Sequence, residues 1–121
     1  MGTAIIVMVA LVALEHSYFL VLEMFLWTTP KGRKTFGLSE QYAQDTKALA
    51  ANQGLYNGFL AAGLLWSLLH PDPHVAQQLQ YFFLGCVVVA AVFGAATVKR
   101  TILYIQGIPA VIAIALILIG T

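Results

Sequence analysis

Charge is the scarcest commodity in this sequence. Only 9% of its 121 residues are Asp, Glu, Lys or Arg, against roughly 25% in an ordinary soluble domain. The single cysteine, Cys86, excludes an intrachain disulfide and any cysteine-based metal site within one chain. Basic residues are also missing from particular places. None stands at the amino end, none between His70 and His74, and none after Arg100. No internal repeat or low-complexity linker is visible, and no nucleic-acid partner is expected.

Apolar residues fill the gap. They make up 60% of the chain, and the mean hydropathy is +0.86, which fits a protein whose solvent is mostly lipid. The length allows one domain, residues 1–121. The first apolar run lacks the basic start of a secretory signal and is too long for one, so it is expected to be a retained helix. The sequence as a whole predicts an all-α, four-transmembrane-helix bundle with spans at about 3–27, 48–69, 76–98 and 101–119. Trp27 and Trp66 mark span ends at the level of aromatic belts. Thr28–Ser39 reads as a loop broken by Pro30, Gly32 and Gly37. Ser39 is placed to cap a polar helical lead-in, Glu40–Lys47, along the membrane surface. His70–His74 reads as a turn, because proline does not sit inside a helix. Span three begins polar, at Gln77, Gln78 and Gln80, and Gly107 with Pro109 predicts a bend near the start of span four.

The stretch Ala13–Trp27, ALEHSYFLVLEMFLW, organises the rest. It carries Glu15, His16 and Glu23 inside an apolar run, where a charged side chain costs roughly 2.5–3.5 kcal/mol at the helix centre and needs a partner, a proton or a function. On a helix, His16 and Glu23 fall about 20° apart, with Glu15 about 80° from Glu23 on the shoulder of the same face. Both carboxylates cannot stay charged in a dry site beside a neutral His16.

Topology follows from the bases. Lys31, Arg33, Lys34 and Lys47 lie between spans one and two, and Lys99 and Arg100 between spans three and four. The positive-inside rule puts both basic segments in the cytoplasm and both chain ends outside it. Glu23 then lies about 6 Å inside the cytoplasmic boundary, and Glu15 and His16 about 16–18 Å inside. Asn52, Gln53 and Asn57 on span two and Gln106 on span four occupy the same layer. Buried polar groups seek partners, so these residues predict a polar pocket entered from the cytoplasm, with Glu15 and His16 at its floor. Ala50, Gly54, Gly58 and Ala62 recur every four residues, a small-residue stripe that lets helices approach closely and brings Asn57 near Glu23. His70, Asp72 and His74 have the residue types of an outer-face metal site, but turn residues of this kind are usually solvated, and no metal or cofactor is expected.

The stretches LEHSYFLVLEMFLW, TTPKGRKTFGL and AANQGLYNGFLAAGLLW resemble a family of small bacterial integral membrane proteins known as domain of unknown function 1304. The resemblance covers nearly the whole chain and implies a four-helix membrane protein; it carries over no catalytic residue. A looser likeness is to the membrane-associated eicosanoid and glutathione metabolism proteins. It implies architecture alone, since the arginines that grip glutathione are largely absent and Asn52 and Asn57 stand without the accompanying acid.

Three function classes follow. One is a transport-like protein in which Glu15, His16 and Glu23 handle a proton, cation or small solute. Four spans make only a slender pore, so this reading requires a homo-oligomer, a dimer or trimer. The second is a membrane enzyme for a lipophilic substrate with a carboxylate–His acid–base pair, although no nucleophile or oxyanion donor is identifiable. The third is a structural or accessory subunit whose polar face binds a partner helix. The topology has a direct test. A reporter active only in the cytoplasm is expected to work when inserted in the 28–47 segment and to be silent at either chain end. Cytoplasmic activity at Thr121 overturns the orientation.

Overall fold

The residues from Thr3 to Met24 contain neither glycine nor proline, and they form one uninterrupted helix, α1. In the computed structural model, residues 1–120 are described, and Thr121 lies outside them. Among the described residues there is no strand. The other helices are α2 (Pro30–Phe36), α3 (Glu40–Leu69), α4 (Pro73–Thr97) and α5 (Ile108–Ile119), with a π-helical segment, Leu103–Gly107, leading into α5.

Several boundaries differ from the sequence expectation. Helix α1 closes at Met24, where the amides of Phe25 and Leu26 both donate to Val21 O, so Trp27 stands beyond the helix. The segment expected to be a loop contains α2. Thr29 is its N-cap, the hydroxyl accepting from Gly32 N at 3.3 Å. Pro30 occupies the first turn, where its missing N–H costs nothing. Gly37, at φ 68°, takes the left-handed C-cap conformation and donates to Arg33 O. The breakers in this segment are thus a start and a stop. The lead-in at 40–47 is the beginning of the same helix that carries 48–69, started by Ser39 Oγ accepting from Tyr42 N at 3.1 Å. Helix α4 begins earlier than expected, at Pro73, because Asp72 accepts from the amides of His74 and Val75 at 2.9 and 3.4 Å. The bend expected near Gly107 and Pro109 takes the form of the π-helical turn. Proline has no N–H and its ring crowds the carbonyl four residues back, and a widened turn relieves both.

Two helices, α1 and α4, are long and apolar enough to cross a membrane, with mean hydropathies of 2.2 and 2.0 over their most apolar stretches. Leu103–Ile119 is a shorter apolar stretch.

The described chain divides into two units. One comprises residues 1–14 and 60–121. Its core joins Val9 and Val12 of α1, Leu64 of α3, Leu84 and Val87 of α4, and Ala110 and Ala113 of α5, all fully buried. Gly63 lies under the Phe83 ring, which would stand 2.3 Å from a Cβ at that position. Gln80, expected with the polar start of span three, is instead 2% exposed, its amide 3.3 Å from Met1 Sδ. It belongs to the buried face made by Ala76, Leu84, Val87 and Ala91. The second unit, residues 15–59, holds the remainder of α1, α2 and the first part of α3.

Two glycines separate close packing from helix propensity. A Cβ on Gly32 would sit 1.9 Å from Leu26 O, a backbone atom that cannot swing aside, whereas one on Gly85 meets nothing within 4 Å. Alanine gains about 0.5–1 kcal/mol over glycine inside a helix, and overpacking costs about 1–3 kcal/mol. Thermal unfolding in detergent should therefore show Gly32→Ala destabilised and Gly85→Ala equal to or above the parent.

Candidate functional site

The second unit contains Glu15, His16 and Glu23 of α1. Because the helix is unbroken through Met24, His16 and Glu23 do share one side of it, separated by about 10 Å along the axis. His16 is 1% exposed and stands edge-on to Phe19, with ring centroids 5.4 Å apart at 75°. Glu15 is half-buried, and its Oε1 is enclosed with no hydrogen-bond partner among the described residues. Glu23 is half-buried and accepts a hydrogen bond from Asn57 Nδ2; Asn57 is 5% exposed.

The glycines of α3 make that bond possible. A Cβ on Gly54 would lie 2.7 Å from Met24 Cγ and 3.0 Å from Glu23 Cβ, and one on Gly58 would lie 2.6 Å from Leu20 Cδ1. Helix α3 therefore meets α1 at these two positions, and Asn57 lies between them, opposite Glu23. The small-residue stripe holds this contact over part of its length. Ala50 and Gly54 are buried and Gly58 half-buried, but Ala62 is exposed while Ala61 is buried. A spacing of four on a 3.6-residue turn drifts about 40° per step, so the stripe has rotated by about 120° when it reaches Ala62.

The other amides are placed differently. Asn52 and Gln53 are exposed; Asn52 points about 140° away from Asn57 around α3. Gln106 is half-buried on the π-helical segment of the other unit. In the turn before α4, Asp72 caps that helix, and its own amide donates to His70 Nδ1 at 3.0 Å. These local bonds engage the acid and one of the two histidines.

One contact escaped the sequence reading. Trp27 Nε1 donates to Thr46 Oγ1 at 3.0 Å, and its ring packs on Phe36 with centroids 4.9 Å apart. Trp27 thus ties α2 and the start of α3 to the end of α1. The signal available was Trp27 itself, because a half-buried indole N–H requires an acceptor.

Chemically, the α1 face is a ladder of single groups and not a ring of ligands. Neighbours in sequence diverge by about 100°, so Glu15 and His16 do not chelate one ion side by side. An ionised carboxylate can only accept, so the enclosed Glu15 oxygen, with no donor among the described residues, suits a proton, a cation or a water.

Residues 10–118 match the family described as Protein of unknown function (DUF1304). Among curated proteins, the Uncharacterized protein YpaA of Lactococcus lactis subsp. lactis (strain IL1403) is 26% identical over 111 residues, covering 90% of this chain and 92% of the relative. No solved structure matches the chain.

The Glu23–Asn57 pair can be weighed by a double-mutant cycle. Asn57→Leu strands a carboxylate and should lower stability by about 1–3 kcal/mol, whereas Glu23→Leu with Asn57→Leu together should recover most of the loss. Thermal unfolding followed by circular dichroism in detergent checks both. Glu23→Leu alone completes the cycle, and a double-variant loss equal to the sum of the two single losses would show that the bond contributes nothing.

Proposed function

The chain belongs to the DUF1304 family, a membership that carries no chemistry, and from its own residues we propose a four-span integral membrane protein whose α1 polar face handles a proton, a cation or a small solute. The observation that carries this reading is the Glu15 carboxylate oxygen, enclosed without a donor among the described residues, on the same helix as buried His16 and the Asn57-bonded Glu23. Burying such groups on an apolar helix is costly, and in membranes they typically mark ion or proton pathways.

Membrane embedding is supported by exposure. Only 33% and 22% of the most apolar stretches of α1 and α4 is buried, where the core helix of a water-soluble protein would be mostly covered. Large apolar side chains lie open along the whole chain, among them Leu14, Phe25, Leu69, Phe93 and Leu118. The two remaining spans are α3 and the stretch from Leu103 to Ile119. The latter has 17 residues, about 26 Å of helix, at the short end of what crosses a bilayer. With Lys31, Arg33, Lys34, Lys47, Lys99 and Arg100 on the cytoplasmic side of a bacterial inner membrane, both ends lie outside, and the face from Glu23 to Glu15 runs inward from the cytoplasm. The pathway needs more wall than one chain provides, so the working unit is a homo-oligomer, a dimer or trimer.

The test is proton flux into proteoliposomes under an imposed potassium diffusion potential, read by an internal pH-sensitive dye. Glu23→Gln keeps an acceptor for Asn57 and drops the charge, so the variant should insert and assemble while flux is abolished. Undiminished flux in an assembled Glu23→Gln protein would rule this residue out of proton or cation handling. The Glu23–Asn57 pair would then be polar glue between α1 and α3.

A further inference from the structure

The unit formed by residues 1–14 and the chain from 60 onward carries a feature that the α1 face does not use. Between α4 and the chain segment that packs on it lies an open groove of about 310 Å³ with wholly apolar walls. Val88 and Val92 form one side, and Leu103, Tyr104, Ile108 and Val111 the other. From Leu103 to Val111 the wall extends about 12 Å. Several of its side chains are roughly half exposed, including Val92, Tyr104, Ile108 and Val111, so the groove opens sideways along its length.

The charge around the groove selects its occupant. Lys99 and Arg100 are exposed at the tip of the tight turn that joins the two walls. That turn is held by Val98 N donating to Gly94 O at 2.8 Å, Ile102 N to Lys99 O at 3.2 Å and Leu103 N to Arg100 O at 3.1 Å. Gly94 lets it close, since a Cβ there would stand 2.9 Å from Ile102. The two cations are therefore only three to five residues from Leu103 and Tyr104 at the groove's near end. Among the described residues of the unit, no acidic side chain stands near them in the chain. Its sole carboxylate side chain, Asp72, caps the opposite end of α4, about 37 Å of helix away.

We propose that this groove is a site for one acyl chain of an anionic phospholipid, with the headgroup phosphate held at Lys99 and Arg100. The proposal rests on the membrane reading above and adds the ligand class for a second, separate surface. An uncompensated pair of bases at the end of an apolar slot matches the anionic head and apolar tail of such a lipid. A second copy of this chain, apolar at the groove, would leave the two cations unanswered. Basic side chains near a membrane surface attract anionic lipid strongly enough to set lipid selectivity.

The experiment begins with carbonate-washed membranes. The protein is then purified in neutral detergent and titrated with phosphatidylglycerol or phosphatidylcholine of identical chains, with bound lipid counted by native mass spectrometry. The wild type should bind phosphatidylglycerol about tenfold more tightly than phosphatidylcholine. Lys99→Gln with Arg100→Gln should erase the preference while leaving a residual, headgroup-blind binding. Val111→Phe, which fills the groove at an exposed position, should weaken both lipids. Equal binding of the two lipids by the wild type, unchanged binding by Val111→Phe, or dimers that exclude lipid would each overturn the proposal while leaving the membrane reading intact. Recovery of the protein in the carbonate supernatant would overturn the membrane reading, and the lipid site with it.

Discussion

A carboxylate on an apolar helix is costly to bury unless a donor meets it, and for Glu23 the donor is a side-chain amide on a different helix. That requirement constrains more of residues 15–59 than any apolar contact does. Asn57 reaches Glu23 only because Gly54 and Gly58 leave room for Glu23, Met24 and Leu20 against the α3 backbone. The phase of α3 relative to α1 is then set by three consecutive demands, small, amide and small, over little more than one turn. Apolar packing tolerates rotation by part of a turn; a hydrogen bond does not.

The end of α1 is fixed by the same economy of polar groups. Leu26 O receives the Thr29 amide and the Thr29 hydroxyl, Thr29 in turn caps α2, and Trp27 reaches across to Thr46. The carbonyls of Val21 and Leu26 at this helix end each accept two hydrogen bonds from within five residues. The result is a well-tied corner made of Trp27, Thr29, Gly32 and Phe36, in a stretch where Lys31 and Lys34 are exposed and Arg33 is half-buried. The polar ladder of α1 therefore ends against a defined structure.

Much of this was legible before any coordinates. Helical class, the interrupted polarity of the first apolar run and the Asn57–Glu23 neighbourhood all follow from periodicity, composition and the glycine spacing. What escaped has physical reasons. Pro30 and Gly37 were read as breakers, yet the same residues serve as first-turn and C-cap signals when they stand seven apart with a threonine in front. Gln80 looked like surface because glutamine usually is, although its neighbours at i−4, i+4 and i+7 all lie on the buried face. Asn52 and Gln53 share a layer with Asn57 but not its direction, and depth along a helix says nothing about azimuth. Four spans were expected, and length with hydropathy alone identifies α1 and α4. Helix α3 dilutes its apolar half with Asn52, Gln53 and Asn57, and the last stretch is a residue or two short. Both deficits are local, and both coincide with chemistry-bearing or π-helical segments.

The widened turn at Leu103–Gly107 has a consequence for how the chain can drift over evolutionary time. A π turn amounts to an α-helix with one residue added, and each added residue advances everything downstream by about 100°. The side of α5 that carries Ala110, Ala113 and Ile117 into the core is therefore dialled by a single codon. Deleting one residue within 103–107 would restore a regular helix and turn a different set of side chains, Val111 and its neighbours, toward α4. Relatives of this chain that differ by one residue in this segment should present a different azimuth of their last helix, so insertions and deletions there act as rotations and not as changes of length.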